Sequence, residues 1–218
     1  MKVIVTGATG MVGEGVLLTC LDDPTVTAVL SVSRRSCGHT HPKLRELLLP
    51  DFRAAGDHAA ELTGYDACFY GAGISSVGMN EADYTVVSYD TPVAFAAVLQ
   101  PLNPDLVFVY VTGQHTDSTE QGRVMWARVK GKAENALMRM DFKAVYNFRP
   151  ALMKPVPGQR HVKTVFRAVL LLYPLLALFF PSMDLRDVAR AMIHCARFGS
   201  GKHVLEVDAI KAMAARTS

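Results

Sequence analysis

Cysteine is scarce in this chain of 218 residues and badly spaced for any bridging role. The four cysteines, Cys20, Cys37, Cys68 and Cys195, stand far apart, with no C-x-x-C pair. That spacing argues against a zinc site or a disulfide framework and suits a reduced, cytoplasmic protein. Charge of one sign is also lacking. The formal net charge is +3, too small to argue for a nucleic-acid partner. Long apolar runs are nearly absent. The one exception, residues 168–181 (AVLLLYPLLALFFP), is short for a spanning helix and carries Pro174 in its middle. It reads as a buried helix pair, a dimer face or a lobe wall, with contact to a membrane surface as the remaining alternative. No low-complexity linker and no internal repeat divides the chain, and no signal peptide is expected, because its first apolar run reads as a strand followed immediately by glycines.

What is present begins at residue 2. The run Lys2-Val-Ile-Val-Thr-Gly7-Ala-Thr9-Gly10-Met11-Val12-Gly13 is a short apolar strand ending in a G-x-x-G-x-x-G turn. A helical pattern follows through Val16 and Leu17 to about Cys20. Strand, glycine turn and helix form the opening unit of a dinucleotide-binding fold. Gly7 permits the tight turn, Gly10 lets backbone approach a pyrophosphate, and Gly13 lets the helix pack on the strand. The helix N-terminus presents unpaired N–H groups and a positive dipole end to phosphate. The alternative is a glycine-rich turn of another α/β protein.

Downstream, strands alternate with helices. Strands are expected at Val26–Val32, Leu47–Leu49, Ala67–Tyr70, Leu106–Thr112, Ala144–Phe148 and Val204–Val207. Helices are expected at Pro42–Leu48, Glu81–Leu99, Val124–Met140 and Leu185–Arg197, the last capped by Asp184 and ended by Gly199. The alternation implies one doubly wound α/β domain over residues 1–218, a mainly parallel sheet with helices on both faces. Residues 153–182 break the rhythm and read as a small substrate-lobe insertion.

The cofactor is read from the end of the second strand. An NAD site places an acid there for the ribose 2′-hydroxyl. This chain has Ser33-Arg34-Arg35 instead, which suits a 2′-phosphate and predicts NADP(H) in preference to NAD(H). Two solvated surface arginines are the alternative. Asp51 and Phe52 are placed to reach adenine, or form an ordinary turn. Gly71-Ala72-Gly73, after the fourth strand, offers backbone for the dinucleotide to lie against.

The set T-G-A-T-G-M-V-G, S-R-R, D-F, G-A-G, V-T-G, V-K-G-K-A-E and F-R-P resembles an atypical short-chain dehydrogenase/reductase of the extended, NAD-dependent epimerase/dehydratase-like group. Within that group it most resembles the Tat-interacting-protein oxidoreductases and their small bacterial relatives. The resemblance implies a Rossmann fold with a reduced C-terminal substrate lobe and a nicotinamide cofactor without a metal. It implies that Gly7, Thr9, Gly10, Met11, Val12 and Gly13 cradle the pyrophosphate, and that Pro150, Ala151 and Leu152 border the nicotinamide. It further implies a possible homodimer through the helices Glu81–Leu99 and Val124–Met140.

One departure stands out. The family's catalytic pair is Tyr-x-x-x-Lys on the helix after the fifth strand, with a hydroxyl residue upstream. Here Lys130 is present, but the tyrosine position holds Trp126. An indole N–H donates a hydrogen bond but does not titrate. Thr112 is the candidate hydroxyl residue, with a plain strand-end threonine as the alternative. His115, three residues on, is a candidate substitute proton donor, with a solvated loop histidine as the alternative. The reading is an oxidoreductase acting on an unidentified small organic substrate; the alternative is a catalytically silent dinucleotide sensor.

Overall fold

The computed structural model describes residues 1–162 and 181–216. Its frame is a seven-stranded sheet: β1 (Lys2–Thr6), β2 (Ala28–Ser33), β3 (Leu44–Leu48), β4 (Ala67–Tyr70), β5 (Val107–Val111), β6 (Ala144–Arg149) and, beyond a small second sheet, β9 (Val204–Glu206). The order is β3-β2-β1-β4-β5-β6-β9, and every pairing is parallel. Chain order reverses between β1 and β4, and in open α/β sheets ligands bind beyond the strand ends at that switch point. The second sheet is one parallel pair, β7 (Leu152–Lys154) with β8 (Ser182–Asp184).

The strands alternate between two cores, as a period of two requires. Val3, Val5, Phe69, Val107, Val109, Tyr146 and Phe148 face one side. They pack with α1 (Met11–Asp22), α6 (Leu185–Phe198) and α7 (Val207–Ala215). Ile4, Cys68, Tyr70, Phe108, Tyr110 and Val145 face the other. There they meet a 3-10 turn (Phe52–His58), α2 (Ala59–Leu62), α4 (Thr91–Leu102) and α5 (Met125–Met138). Between α2 and α4 the chain enters α3 (Glu81–Thr85), then a π-helical turn (Val86–Asp90) that runs on into α4. Asn80 caps α3 by accepting from Asp83 N.

The doubly wound Rossmann architecture expected from the sequence is therefore the one observed. One element is corrected. The helix expected at Pro42–Leu48 is strand β3, with Ser33 opposite Leu48 and Val29 opposite Leu44. A stretch this short cannot repay helix nucleation, and its Leu47 fills the core while Arg45, Glu46 and Leu48 face out, the pattern of an edge strand. The helix expected over Glu81–Leu99 forms in three pieces and runs to Leu102. Asp184 and Gly199 bound α6 as expected: the Asp184 carboxylate accepts from Arg186 N, and Gly199 has φ 78. The 3-10 turn, the β7–β8 pair and α7 were not foreseen. The apolar run 168–181 lies outside the described residues except for Pro181. Among the described residues, no helix is long and apolar enough to cross a membrane.

Candidate functional site

The glycine turn sits at the switch point. Gly7 has φ +75, a conformation that L side chains rarely adopt, and a Cβ there would lie 2.7 Å from Ala72 N. The turn of β1 thus touches the turn of β4, where Ala72 N also donates to Thr6 Oγ1 at 3.1 Å. Gly13 is pressed against the strand end, and a Cβ there would lie 2.3 Å from Gly7 C and O. Gly10 differs from both. Its nearest neighbour to a built Cβ is Gly7 O at 3.5 Å, an ordinary contact. Gly10 is the N-cap of α1 and supplies no capping side chain. The first N–H groups of the helix have no intrahelical partner, so they are free to bind a group outside the helix. Gly10, Met11 and Val12 are half-exposed, while Gly13 is buried. A cradle with room at Gly10 and close packing at Gly7 and Gly13 fits a dinucleotide pyrophosphate.

Ser33 is buried at the end of β2, and Arg34 and Arg35 lie exposed just beyond it. Asp51 caps the 3-10 turn by accepting from Arg53 N, and its carboxylate also pairs with the Arg53 guanidinium at 2.7 Å. Phe52 is buried, its ring 5.1 Å from Phe95 and 6.2 Å from Tyr70. Gly71, Ala72 and Gly73 continue from β4 along the same edge, with Gly73 exposed. Pro150 is buried at the end of β6, and Ala151 and Leu152 are half-buried.

The second cluster forms where β5 and β6 meet α5. Trp126, Lys130 and Glu134 recur every four residues along α5, one face of a helix. The Lys130 ammonium donates to the Thr112 carbonyl oxygen at 2.7 Å. Burial pushes Lys130 down to about 8, with the Glu134 carboxylate opposing the shift. The Thr112 hydroxyl donates to Glu134 Oε1 at 2.6 Å, away from the open edge. Glu134 is buried in a two-pronged ion pair with Arg149, whose Nε donates at 3.1 Å and whose terminal nitrogen binds the second oxygen. Arg149 also reaches Ser118 Oγ and, at 3.2 Å, Glu206. This pair was not singled out from the sequence. The signal was present: Glu134 stands one turn beyond Lys130, and Arg149 is the centre of F-R-P.

His115 is exposed, with φ 69. Its loop is held on α5 by Asp117, whose backbone N–H donates to Ala127 O at 3.1 Å. Asp117 also accepts from the Thr119 hydroxyl at 2.6 Å and from the Gly122 and Thr119 N–H groups, and these bonds hold its carboxyl below the usual range. The structure thus brings Lys130 against Thr112, sets Trp126 one helical turn before Lys130 on α5, and leaves His115 exposed.

No protein-family model matches the chain. A curated relative, Protein FMP52, mitochondrial, of Chaetomium globosum, is 24% identical over 162 residues, covering 72% of this chain and 69% of that one. Among solved structures, the Bordetella bronchiseptica enzyme WbmF in complex with NAD+ superposes with a TM-score of 0.69 at 18% identity. That match covers 99% of this chain and 77% of WbmF. The ADP-L-glycero-D-manno-heptose-6-epimerase of Helicobacter pylori gives 0.71 at 14% identity, covering 99% and 80%. The UDP-glucuronic acid 4-epimerase of Bacillus cereus, in complex with NAD, gives 0.66 at 13%, covering 95% and 76%. At these identities the likeness is one of fold.

The expected preference for NADP(H) over NAD(H) is corrected by the WbmF and Bacillus cereus epimerase structures, which hold NAD+ and NAD. The physical reason lies in the weakness of the original signal. Lack of an acid after β2 does not by itself build a phosphate clamp, and Arg34 and Arg35 are exposed side chains of the kind that water satisfies.

Proposed function

We propose that this chain is an NAD(H)-binding oxidoreductase of the short-chain, epimerase/dehydratase-like kind, akin to the Tat-interacting-protein oxidoreductases, acting on a small organic substrate. The observation that carries this reading is the uncapped N-terminus of α1 at the β1/β4 switch point, open at Gly10 alone among its three glycines. NAD(H), when bound, accepts or supplies a hydride. The N–H groups of Met11, Val12 and Gly13 take the pyrophosphate, Gly71 to Gly73 line its course, and Pro150 to Leu152 border the nicotinamide. Lys130 holds the ribose hydroxyls through its ammonium.

Proton handling follows from the second cluster. Trp126 cannot exchange a proton through its indole. The Thr112 hydroxyl spends its proton on Glu134. Lys130 Nζ, pushed down to about 8, is the group that can give up or take a proton near neutral pH. A second reading, a catalytically silent NAD(H) sensor, is favoured by the same two facts about Trp126 and Thr112. The cytoplasmic location and a homodimer through the α3–α4 and α5 faces belong to the proposal as well.

Steady-state assays with NADH and a panel of quinones and carbonyls separate the readings. Turnover of any acceptor supports the oxidoreductase; saturable NADH binding with no turnover supports the sensor. Trp126→Tyr sharpens the comparison, because it restores a titratable hydroxyl one turn from Lys130. General acid–base assistance is worth ~10²–10⁴ in rate. In a silent protein the substitution should awaken carbonyl reduction; in an active one it should change the pH profile of existing turnover.

A further inference from the structure

Glu14 is a fully buried carboxylate in the first turn of α1, directly below the phosphate cradle. Nothing in the site described above uses it. Its oxygens are nevertheless saturated by two segments distant in sequence. Oε1 accepts from Arg160 N at 2.7 Å and lies 2.8 Å from His39 Nε2. Oε2 accepts from His161 N at 2.8 Å and from Gln159 Nε2 at 3.4 Å. Burial alone would raise this carboxyl. The Arg160 and His161 amides and the His39 ring outweigh it and hold it below the usual range.

Around this anchor, residues 155–161 make a second set of bonds. Gln159 Nε2 donates to Met11 O at 2.6 Å, and its Oε1 accepts from Val156 N at 2.6 Å. Arg160 donates to Gly38 O at 2.6 Å, and the His161 ring lies 3.0 Å from Cys37 O. The segment therefore starts just past β7, beside Pro150–Leu152. It crosses the first turn of α1 and ends on the loop that follows Arg34 and Arg35. A buried charge is retained at a net cost unless its hydrogen bonds are complete, so its complete set of partners marks an ordered assembly.

We propose that residues 155–161 form a clasp belonging to the dinucleotide site, seated on Glu14 as its positioning residue, which fixes the adenosine-side loop 36–39 against the phosphate cradle. The inference rests on the dinucleotide-binding reading. The clasp removes the cost of ordering loop 36–39 from the binding step, the usual route by which preorganisation tightens a site. Glu14 touches no reacting atom and acts through the loop and the clasp.

The test compares wild type, Glu14→Gln and Gln159→Ala by NAD+ and ADP calorimetry and by amide hydrogen exchange. Gln159 is half-buried on the clasp itself, so its variant serves if Glu14→Gln fails to fold. Expected is a loss of at least about fivefold in affinity, equal for NAD+ and ADP, because the adenosine half is common to both. Amide exchange at Arg160, His161 and residues 36–39 should quicken together, while β1, β4 and β5 stay protected. In the wild type, NAD+ should slow exchange in both segments at once. Unchanged affinity in a variant whose clasp amides have quickened overturns the proposal. Failure of the wild type to bind NAD+ or ADP at all instead sinks the dinucleotide reading.

Discussion

Lys130 gives a pH dependence that can be measured directly. Burial under α5 and β5 lowers it to about 8, against an ordinary lysine near ~10.4. At pH 9 a group titrating near 8 keeps its proton in about one molecule in eleven, whereas an ordinary lysine stays charged in more than about nine in ten. If the ammonium holds the cofactor ribose, NAD+ affinity should fall about tenfold between pH 7 and pH 9. Folding responds in the opposite sense. The folded pKa lies below the unfolded one, so between about pH 8 and 10.4 the unfolded chain holds a proton that the folded chain has released. Stability should therefore rise over that window, by at most about 3 kcal/mol for this single group. Calorimetric titration of NAD+ from pH 6.5 to 9.5 reads the first effect, and urea denaturation over pH 8 to 10.4 reads the second. Lys130→Met should bind weakly at every pH and show neither slope. A wild-type affinity that is flat to pH 9.5, or a slope that survives in Lys130→Met, refutes the reasoning.

Glu134→Ala takes the buried carboxylate from Arg149, leaving it only Ser118 and the exposed Glu206, and should cost about 3–5 kcal/mol, roughly 6–20 °C in Tm; a loss under about 1 kcal/mol by urea denaturation would contradict the buried pair. Replacing both partners, Glu134→Leu with Arg149→Met, should recover most of that loss, since an apolar pair leaves no charge unpaired. Gly13→Ala drives a Cβ into the Gly7 backbone and should destabilise by about 1–3 kcal/mol or more, while Gly10→Ala should cost no more than a weakened N-cap, about 1 kcal/mol. Equal costs at the two positions in urea melts would mean that the close approach of α1 to β1 is misplaced.

The fold was readable because its signals are local and repeated. Each central strand is a short β-branched or aromatic run, and the burial of Val3 and Val5 on one face and Ile4 on the other is period two made visible. The glycine turn was readable because it demands glycine at Gly7 and Gly13 for reasons of backbone geometry. Residues 44–48 were read both ways, as a helix over Pro42–Leu48 and a strand at Leu47–Leu49, because a short leucine-rich stretch fits either period and only pairing with β2 decides for the strand. Phe52 shows another limit. The sequence places it near a ligand edge, yet whether its ring faces out or joins Tyr70 and Phe95 is a tertiary outcome. The Glu134–Arg149 pair sat inside the V-K-G-K-A-E and F-R-P motifs and was passed over, whereas Glu14 was missed for a different reason. Its partners lie far off in the chain, Arg160 being 146 residues away, and no local pattern announces such bonds. The arginines after β2 mislead in the opposite way, because a charged pair at a suggestive position carries no record of whether it is solvated.

The central claim is that the open turn at Gly10 binds a dinucleotide, and titration of NAD+ into the wild type and into Gly10→Val tests it most directly. Space beside Gly10 lets the variant fold, which circular dichroism verifies, but places a branched side chain where pyrophosphate must lie. The expected result is saturable one-site binding to the wild type, weakened by at least about a hundredfold in the folded variant through loss of charge-assisted hydrogen bonds worth about 1.5–3 kcal/mol each. Equal affinity in the two proteins, or no saturable binding to the wild type, contradicts it.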